Sequence, residues 1–299
     1  MVDETVKAQR ARASRHRGIV AGLIGQDIGA SLTPAMHMAE AREQGLAYVY
    51  RLIDLAGQDV SHERLSQVFR GAVDAGFDGL NITHPFKQAI MPLLDAVDPV
   101  AEAIGAVNTV RIADGHATGF NTDALGFTAG IRREIGDIAG QSVVQLGSGG
   151  AGAATATAAL TLGVEHLTIF DVDPARSHAL ADRLASRFDG RASASSDLPA
   201  EIAAASGLIH ATPTGMVGHP GLPLDPALLR PDLWVAEIVY FPLETELLRV
   251  AREKGCRTAH GGTMAVFQAV GAFEIFTGIA PDADRMVRHF TQLTLGRGA

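Results

Sequence analysis

The sequence predicts an α/β fold in two domains, and three observations carry that reading. Short apolar runs alternate with helical stretches along almost the whole chain. In the second half the alternation is regular enough to predict a parallel, doubly wound sheet. At 299 residues, 47% hydrophobic and 19% charged, the chain is long enough for one large or two ordinary domains.

The elements follow in order. Residues 1–18 read as a disordered leader: Lys7, Arg10, Arg12, Arg15 and Arg17 lie in a segment without hydrophobic periodicity or the apolar centre of a secretory signal. An organelle-targeting peptide is the alternative. IVAGLIG (19–25), YVYRLIDL (48–55) and GLNIT (79–83) read as buried strands separated by helical stretches. NITHPFK (81–87) predicts a helix start with Pro85 in its first position. Lys87 would then stand where the helix dipole disfavours a cation, which asks for a functional explanation. Residues 106–122 predict a hairpin turning at Asp114-Gly115. A helix over 124–136 leads to strands beginning at Ser142, Leu167, Gly207 and Leu233, and a shorter one at Cys256. The expected division is 19–122 plus 262–299 against 123–261.

Composition narrows the partners. A net charge of −8 argues against nucleic acid or an anionic membrane surface. Cys256 is the only cysteine, so an internal disulfide and a multi-cysteine metal site are excluded, and a reducing, cytoplasmic setting is expected. The longest apolar run, around 151–164, is too short and too rich in threonine to span a bilayer.

The strongest chemical signal is GSGGAGAATATAAL, which follows a strand and opens a helix. Gly147, Gly149 and Gly152 have the spacing G-x-G-x-x-G: a tight turn, a close backbone approach to pyrophosphate, and tight helix-on-sheet packing. The next strand ends in Asp171, 19 residues after Gly152, where a carboxylate can bind both ribose hydroxyls and repel a 2′-phosphate. A plain glycine-rich turn and a surface aspartate form the bland alternative. Strand, turn, helix and acid in register favour a Rossmann-type dinucleotide-binding domain.

That first half puts polar groups at element ends: Ser31 and Thr33 before Pro34, Thr83 and Lys87, Asn108, and then Asn121, Thr122 and Asp123. Each has a structural alternative. Thr33, Thr122 and Asp123 suit helix caps, Asn108 a turn, and Lys87 a solvated surface. Capping does not explain a lysine set against the dipole.

Eight motifs in order, SLTPAMH, NITHPFK, GAVNTV, GFNTD, GSGGAG, ATPTGM, EIVYFPLET and GGTMAVFQ, make the chain resemble the shikimate dehydrogenase family, and most closely its NAD-dependent quinate/shikimate branch. The resemblance covers nearly everything after residue 18. It implies a substrate domain, an NAD domain and an active cleft between them. Lys87 and Asp123 match the family's catalytic pair. Ser31, Thr33, Thr83, Asn108 and Gln268 match substrate-binding positions, with Tyr240 on the substrate side. Gly147, Ser148, Gly149, Gly150, Ala151, Gly152, Asp171, Arg176, Thr212, Pro213, Thr214, Met216, Ile238 and Gly261 match positions around the dinucleotide.

The implied reaction is reversible NAD-dependent oxidation of quinate and shikimate to 3-dehydroquinate and 3-dehydroshikimate, without a metal. The implied partner is a small polyhydroxylated cyclic carboxylate, with no nucleic acid or membrane partner and a homodimer as a possible assembly. Lys87 would exchange the alcohol proton, its neutral form favoured by the positive helix end and its cation by Asp123. Three departures stand out. Asp171-Val172-Asp173 replaces the Asn-Arg-Thr run usual in NADP-preferring members, Thr33 replaces a frequent serine, and Glu237 stands where aspartate is common. A shikimate-only or cyclitol dehydrogenase is the nearest alternative. A catalytically silent sensor is disfavoured because Lys87 and Asp123 are both present.

Overall fold

In the computed structural model, residues 18–58 and 60–295 are described, so the basic leader lies almost wholly outside the described residues. The first strand, β1 (Ile19–Gly25), pairs in parallel with β2 (Tyr48–Asp54) and β3 (Gly79–Ile82). Their connections are α1 (Thr33–Glu43) and α2 (His62–Asp74). Helix α2 buries Leu65, Phe69 and Ala72 at helical spacing, and Ser61 caps it by accepting the Arg64 N–H. Strands β4 (Ala96–Val97), β5 (Thr109–Ala113) and β6 (His116–Phe120) complete a sheet of order β2-β1-β3-β5-β6-β4. Strands β5 and β6 form the expected antiparallel hairpin. It turns at Asp114 and Gly115, whose φ angles of 52° and 77° are the left-handed pair of a type I′ turn.

The second sheet begins after α3 (Pro99–Ile104), α4 (Asp123–Gly130) and a widened turn over Ile131–Ile135, closed by Gly136 N–H donating to the Ile131 carbonyl. Strands β7 (Ser142–Leu146), β8 (His166–Phe170), β9 (Ala192–Ala194), β10 (Gly207–His210), β11 (Trp234–Glu237) and β12 (Thr258–Ala259) are all parallel. They are connected through α5 (Gly150–Thr161), α6 (Pro174–Arg187), α7 (Leu198–Ala204) and α8 (Glu246–Glu253). The order β9-β8-β7-β10-β11-β12 reverses direction at β7, the switch point of a doubly wound sheet. Helices α9 (Gly261–Thr277) and α10 (Ala283–Leu295) end the described chain.

The chain divides into two compact units. One holds the described residues up to Val97, Val107–Phe120 and those from Ala272 onward; the other holds Asp98–Ala106 and Asn121–Gly271. Residues 98–106 belong with the second unit because Ile104 and Ala106 lie in its core beside Phe127, Ala153 and Met264. Cys256 is buried in the second unit among Leu229, Leu233, Val235 and Leu247, its thiol donating to the Arg230 carbonyl at 3.1 Å. In the first unit, Gly79 lacks a side chain because a Cβ there would fall on the Phe276 ring. His37 is fully buried in the same unit, with Tyr48, Tyr50, Phe273 and Phe276 around its ring at 5.0 to 5.9 Å.

Two expectations change. The segment after β3 is a string of turns, not a helix start. The Lys87 carbonyl accepts the Val107 N–H at 2.8 Å, a partner twenty residues away, instead of opening a helical ladder. The dipole argument for Lys87 therefore lapses. Strands β4 and β9, of two and three residues, are additional. No helix among the described residues is long and apolar enough to cross a membrane.

Candidate active site

In the first unit the polar candidates gather at the C-terminal ends of β1 and β3. The loop after β1 lies against the turn after β3, with Gln26 N–H donating to the His84 carbonyl at 3.1 Å and Thr83 N–H to Ile24 at 2.9 Å. Ser31 Oγ accepts the Thr33 N–H at 3.3 Å. Thr33 is the first residue of α1, whose capping position is Leu32 with no side-chain bond, so Thr33 is not the cap. Phe86, 1% exposed, anchors the turn that carries Lys87. Lys87 bonds to Val107 through its carbonyl, and the Asn108 carbonyl accepts the Ile82 N–H at 2.8 Å. Backbone pairing thus fixes Thr83, Lys87 and Asn108 on adjacent segments.

Beneath them runs a buried polar chain. Tyr50 donates to Asn81 Oδ1 at 2.7 Å. Asn81 Nδ2 donates to the Asn108 carbonyl at 3.2 Å and to Thr109 Oγ1 at 3.0 Å. Thr109 in turn donates to Asn108 Oδ1 at 3.0 Å. That last bond orients the Asn108 amide, which goes beyond satisfying a turn. Tyr50, Asn81 and Thr109 were not singled out in the sequence, where each reads as an ordinary strand residue.

In the second unit, Asp123 is 1% exposed at the first position of α4. The capping oxygen there is Asn121 Oδ1, which accepts from Asp123 N–H at 3.0 Å and Ala124 N–H at 3.3 Å. Thr122 holds the capping position but contributes no side-chain cap, so it does not serve the role that its position suggests. Burial, and then the Asp123 carboxylate, hold the Tyr240 phenol above its ordinary pKa, so these two groups lie within electrostatic reach of each other. Gly126, one turn into α4, brings that helix onto α9: a Cβ there would fall on the Met264 carbonyl and lie 3.0 Å from Gln268 N. Asp123, Tyr240 and Gln268 are thereby drawn toward one end of this unit.

The glycine turn after β7 is a cradle that side chains would fill. Gly147 has φ of +102°, and a Cβ on it would strike the Ala211 carbonyl; one on Gly152 would strike the Gly147 carbonyl. A Cβ on Gly149 would lie 3.6 Å from the Arg176 guanidinium. Gly150 and Ala151 open α5, whose first turn carries no acidic residue. Gln145, fully buried, donates to the Gly147 and Gly152 carbonyls at 2.8 Å each and accepts from Thr155 at 2.9 Å. Its only sequence signal is an amide inside the apolar run SVVQL.

Asp171 directly follows β8. Its Oδ2 accepts from Ser148 N–H at 2.8 Å and Ser148 Oγ–H at 2.6 Å, and its Oδ1 from Asp173 N–H at 3.1 Å. Burial opposes the charged form. The Ser148 hydroxyl, the Asp173 and Ser148 N–H groups and the Arg176 charge outweigh it, so the carboxyl stays below its ordinary pKa. Val172 is wholly exposed beside it. Thr212, Pro213, Thr214 and Met216 form a turn closed by Met216 N–H donating to Pro213 at 3.1 Å. Ile238 follows β11, and Gly261 is glycine because a Cβ would strike the Ile238 carbonyl. The glycine cradle, the bare helix terminus and a charged carboxylate after β8 fit a dinucleotide. No cluster of three or more metal-ligating side chains occurs among the described residues.

A doubly wound domain with this cradle, and a separate α/β unit lined with hydroxyls, amides and a lysine, define a dinucleotide-dependent oxidoreductase. The chain belongs to the shikimate dehydrogenase family. Residues 23–110 match the family model for the shikimate dehydrogenase substrate binding domain. The chain is 56% identical over 275 residues to a shikimate dehydrogenase (NADP(+)) of Streptomyces avermitilis, covering 91% of this chain and 94% of that protein. It is 48% identical over 282 residues to a quinate/shikimate dehydrogenase (NAD(+)) of Corynebacterium efficiens, covering 93% and 99%. The quinate dehydrogenase of Corynebacterium glutamicum, solved in complex with NAD, has a TM-score of 0.84 at 46% identity, covering 92% of this chain and 99% of that one. The relatives thus divide between NAD and NADP.

Proposed function

We propose that this chain reversibly oxidises a ring secondary alcohol of quinate and shikimate, giving 3-dehydroquinate and 3-dehydroshikimate, with NAD as the preferred acceptor. The observation that carries the reading is the gathering of Ser31, Thr33, Thr83, Lys87 and Asn108 at the ends of β1, β3 and β5, with Lys87 the only cation in that set. Hydroxyls and amides suit a polyol carboxylate, and a single amine suits the proton that must leave its alcohol oxygen.

Bound dinucleotide supplies the hydride acceptor. Neutral Lys87 takes the alcohol proton, and the resulting ammonium stabilises charge on the carbonyl oxygen in the reverse direction. Asp123, held in place by the Asn121 cap, accepts a hydrogen bond from a substrate hydroxyl and orients the ring. Tyr240 and Gln268 match the family's substrate-side positions and are assigned to the substrate ring.

Asp171 supports the NAD preference. A 2′-phosphate near its carboxylate and that of Asp173 would meet like charge and lose the ribose hydrogen bond. A second reading, NADP, is favoured by the Arg176 guanidinium over Gly149 and by the Streptomyces relative's cofactor. Steady-state kinetics with quinate and shikimate, each with NAD and NADP, tests both points. Higher kcat/KM with NADP overturns the cofactor assignment, and absence of quinate turnover overturns the dual substrate range. Lys87→Ala should lose about 10² to 10⁴ in kcat with NADH affinity unchanged. Near-normal kcat in that variant would overturn the role of the lysine.

A further inference from the structure

Two loops of the second unit hang from one buried side-chain pair. They are residues 211–216 after β10 and 238–245 after β11; both strands lie across β7 from β8 and its ribose-side Asp171, so a dinucleotide laid over the glycine turn extends its nicotinamide end toward them. His210 ends β10, Glu237 ends β11, and the parallel register sets them opposite each other. Both side chains are completely buried. His210 Nδ1 lies 2.9 Å from each carboxylate oxygen. Glu237 Oε1 also accepts the Val239 N–H at 2.9 Å, and Oε2 the Thr245 hydroxyl at 3.1 Å. On the other side His210 Nε2 bonds to Thr212 Oγ1, which accepts the Thr214 N–H at 3.3 Å.

The Glu237 carboxylate can only accept, so His210 carries a proton on Nδ1 and donates it to Glu237, while Nε2 pairs with the Thr212 hydroxyl. Stability alone does not explain such a group. The flanking strand residues Leu208, Ile209, Val235 and Ala236 are apolar and buried, and an apolar pair at the strand ends would avoid the cost of desolvating a carboxylate. An apolar pair could not, however, grip two loops through their polar atoms. Glu237 holds Val239 and Thr245, and His210 holds Thr212.

We propose that His210 and Glu237 are positioning residues. Acting through Thr212 on one side and Val239 on the other, they keep the turn 212–216 and the segment 238–240 in register, and so set how the nicotinamide end of the dinucleotide is held. The inference rests on the proposed assignment of those loops to the cofactor.

The test compares NADH with ADP-ribose, which lacks the nicotinamide, by calorimetry on the full chain. Glu237→Gln and His210→Gln should weaken NADH on the order of tenfold while leaving ADP-ribose within about twofold, because misplacing one end of a ligand leaves contacts at the other intact. In turnover, kcat should fall more than KM for the alcohol rises. Glu237→Asp, which keeps the carboxylate, should restore most of the NADH affinity. If Glu237→Gln fails to fold, Thr245→Val removes one carboxylate donor and should show the same selective loss at smaller size. Unchanged NADH affinity, or equal loss for both ligands, overturns the inference and leaves the pair a structural role. Asp171→Ala separates the two levels, since it should weaken both ligands. Should it weaken neither, the cofactor assignment itself fails and this inference falls with it.

Discussion

His37 makes the first unit acid-sensitive in a way that can be measured. Its Nδ1 lies 2.9 Å from the Tyr48 hydroxyl, and its Nε2 is buried with no partner among the described residues. Burial among four aromatic rings pushes its pKa from 6.5 down to about 3. The unfolded chain takes up this proton at 6.5 and the folded chain only near 3, so between those values the unfolded state holds one proton more. The contribution is therefore fully present above pH 6.5 and is lost as pH falls toward 3. At 1.36 kcal/mol per pH unit, acidification from 6.5 to 5 removes roughly 2 kcal/mol. That is a large share of a typical domain's stability. His37→Phe removes the titration and adds a pH-independent cost of about 1 kcal/mol from the lost Tyr48 bond. Amide exchange at β1 and β3, corrected for intrinsic rate, reads the opening free energy of this unit. Trp234, the only tryptophan, lies in the other unit and would miss the effect. Wild type should lose roughly 2 kcal/mol relative to the variant between pH 6.5 and 5. Parallel pH curves for the two proteins would refute the reasoning.

Asp171→Ser should narrow the NAD preference, mainly through KM, since the group that distinguishes the cofactors is remote from the chemistry; kcat/KM for both cofactors reads it out. Thr33→Ser should change the ratio of kcat/KM for quinate and shikimate by an amount equivalent to about 1–3 kcal/mol, because one methyl leaves the pocket. Gly152→Ala should lower the melting temperature and weaken ADP-ribose binding together, because its Cβ would strike the Gly147 carbonyl.

Where structure is set by local chemistry, it is legible in the sequence. Asp114-Gly115 announces its hairpin because both residues tolerate the left-handed φ that the turn needs. The glycine turn before α5 is readable because the missing side chains of Gly152 and Gly147 answer contacts a few residues away and at the end of the adjacent strand. What escapes is decided at a distance. Pro85 suggests a helix until Val107 takes the Lys87 carbonyl. Strands β4 and β9 are too short to carry a period of two. The role of Asn121 as the cap of α4 is hidden because Thr122 and Asp123 beside it are equally good cap residues. Of the site, the residue types at element ends were readable. The buried groups that hold them, Tyr50 and Asn81 behind Asn108 and Gln145 behind the glycine turn, were not, since their partners become neighbours only once the sheets form.

The lone thiol gives the second unit a built-in recorder. Cys256 sits under Leu229, Leu233 and Leu247, and burial raises its pKa, so a thiol reagent reaches it only when that corner opens. The rate of modification is then a clock for breathing events that leave the average structure unchanged. Ligands that fasten this unit should slow the clock by the factor they add to its closed state, with no label or engineered probe required.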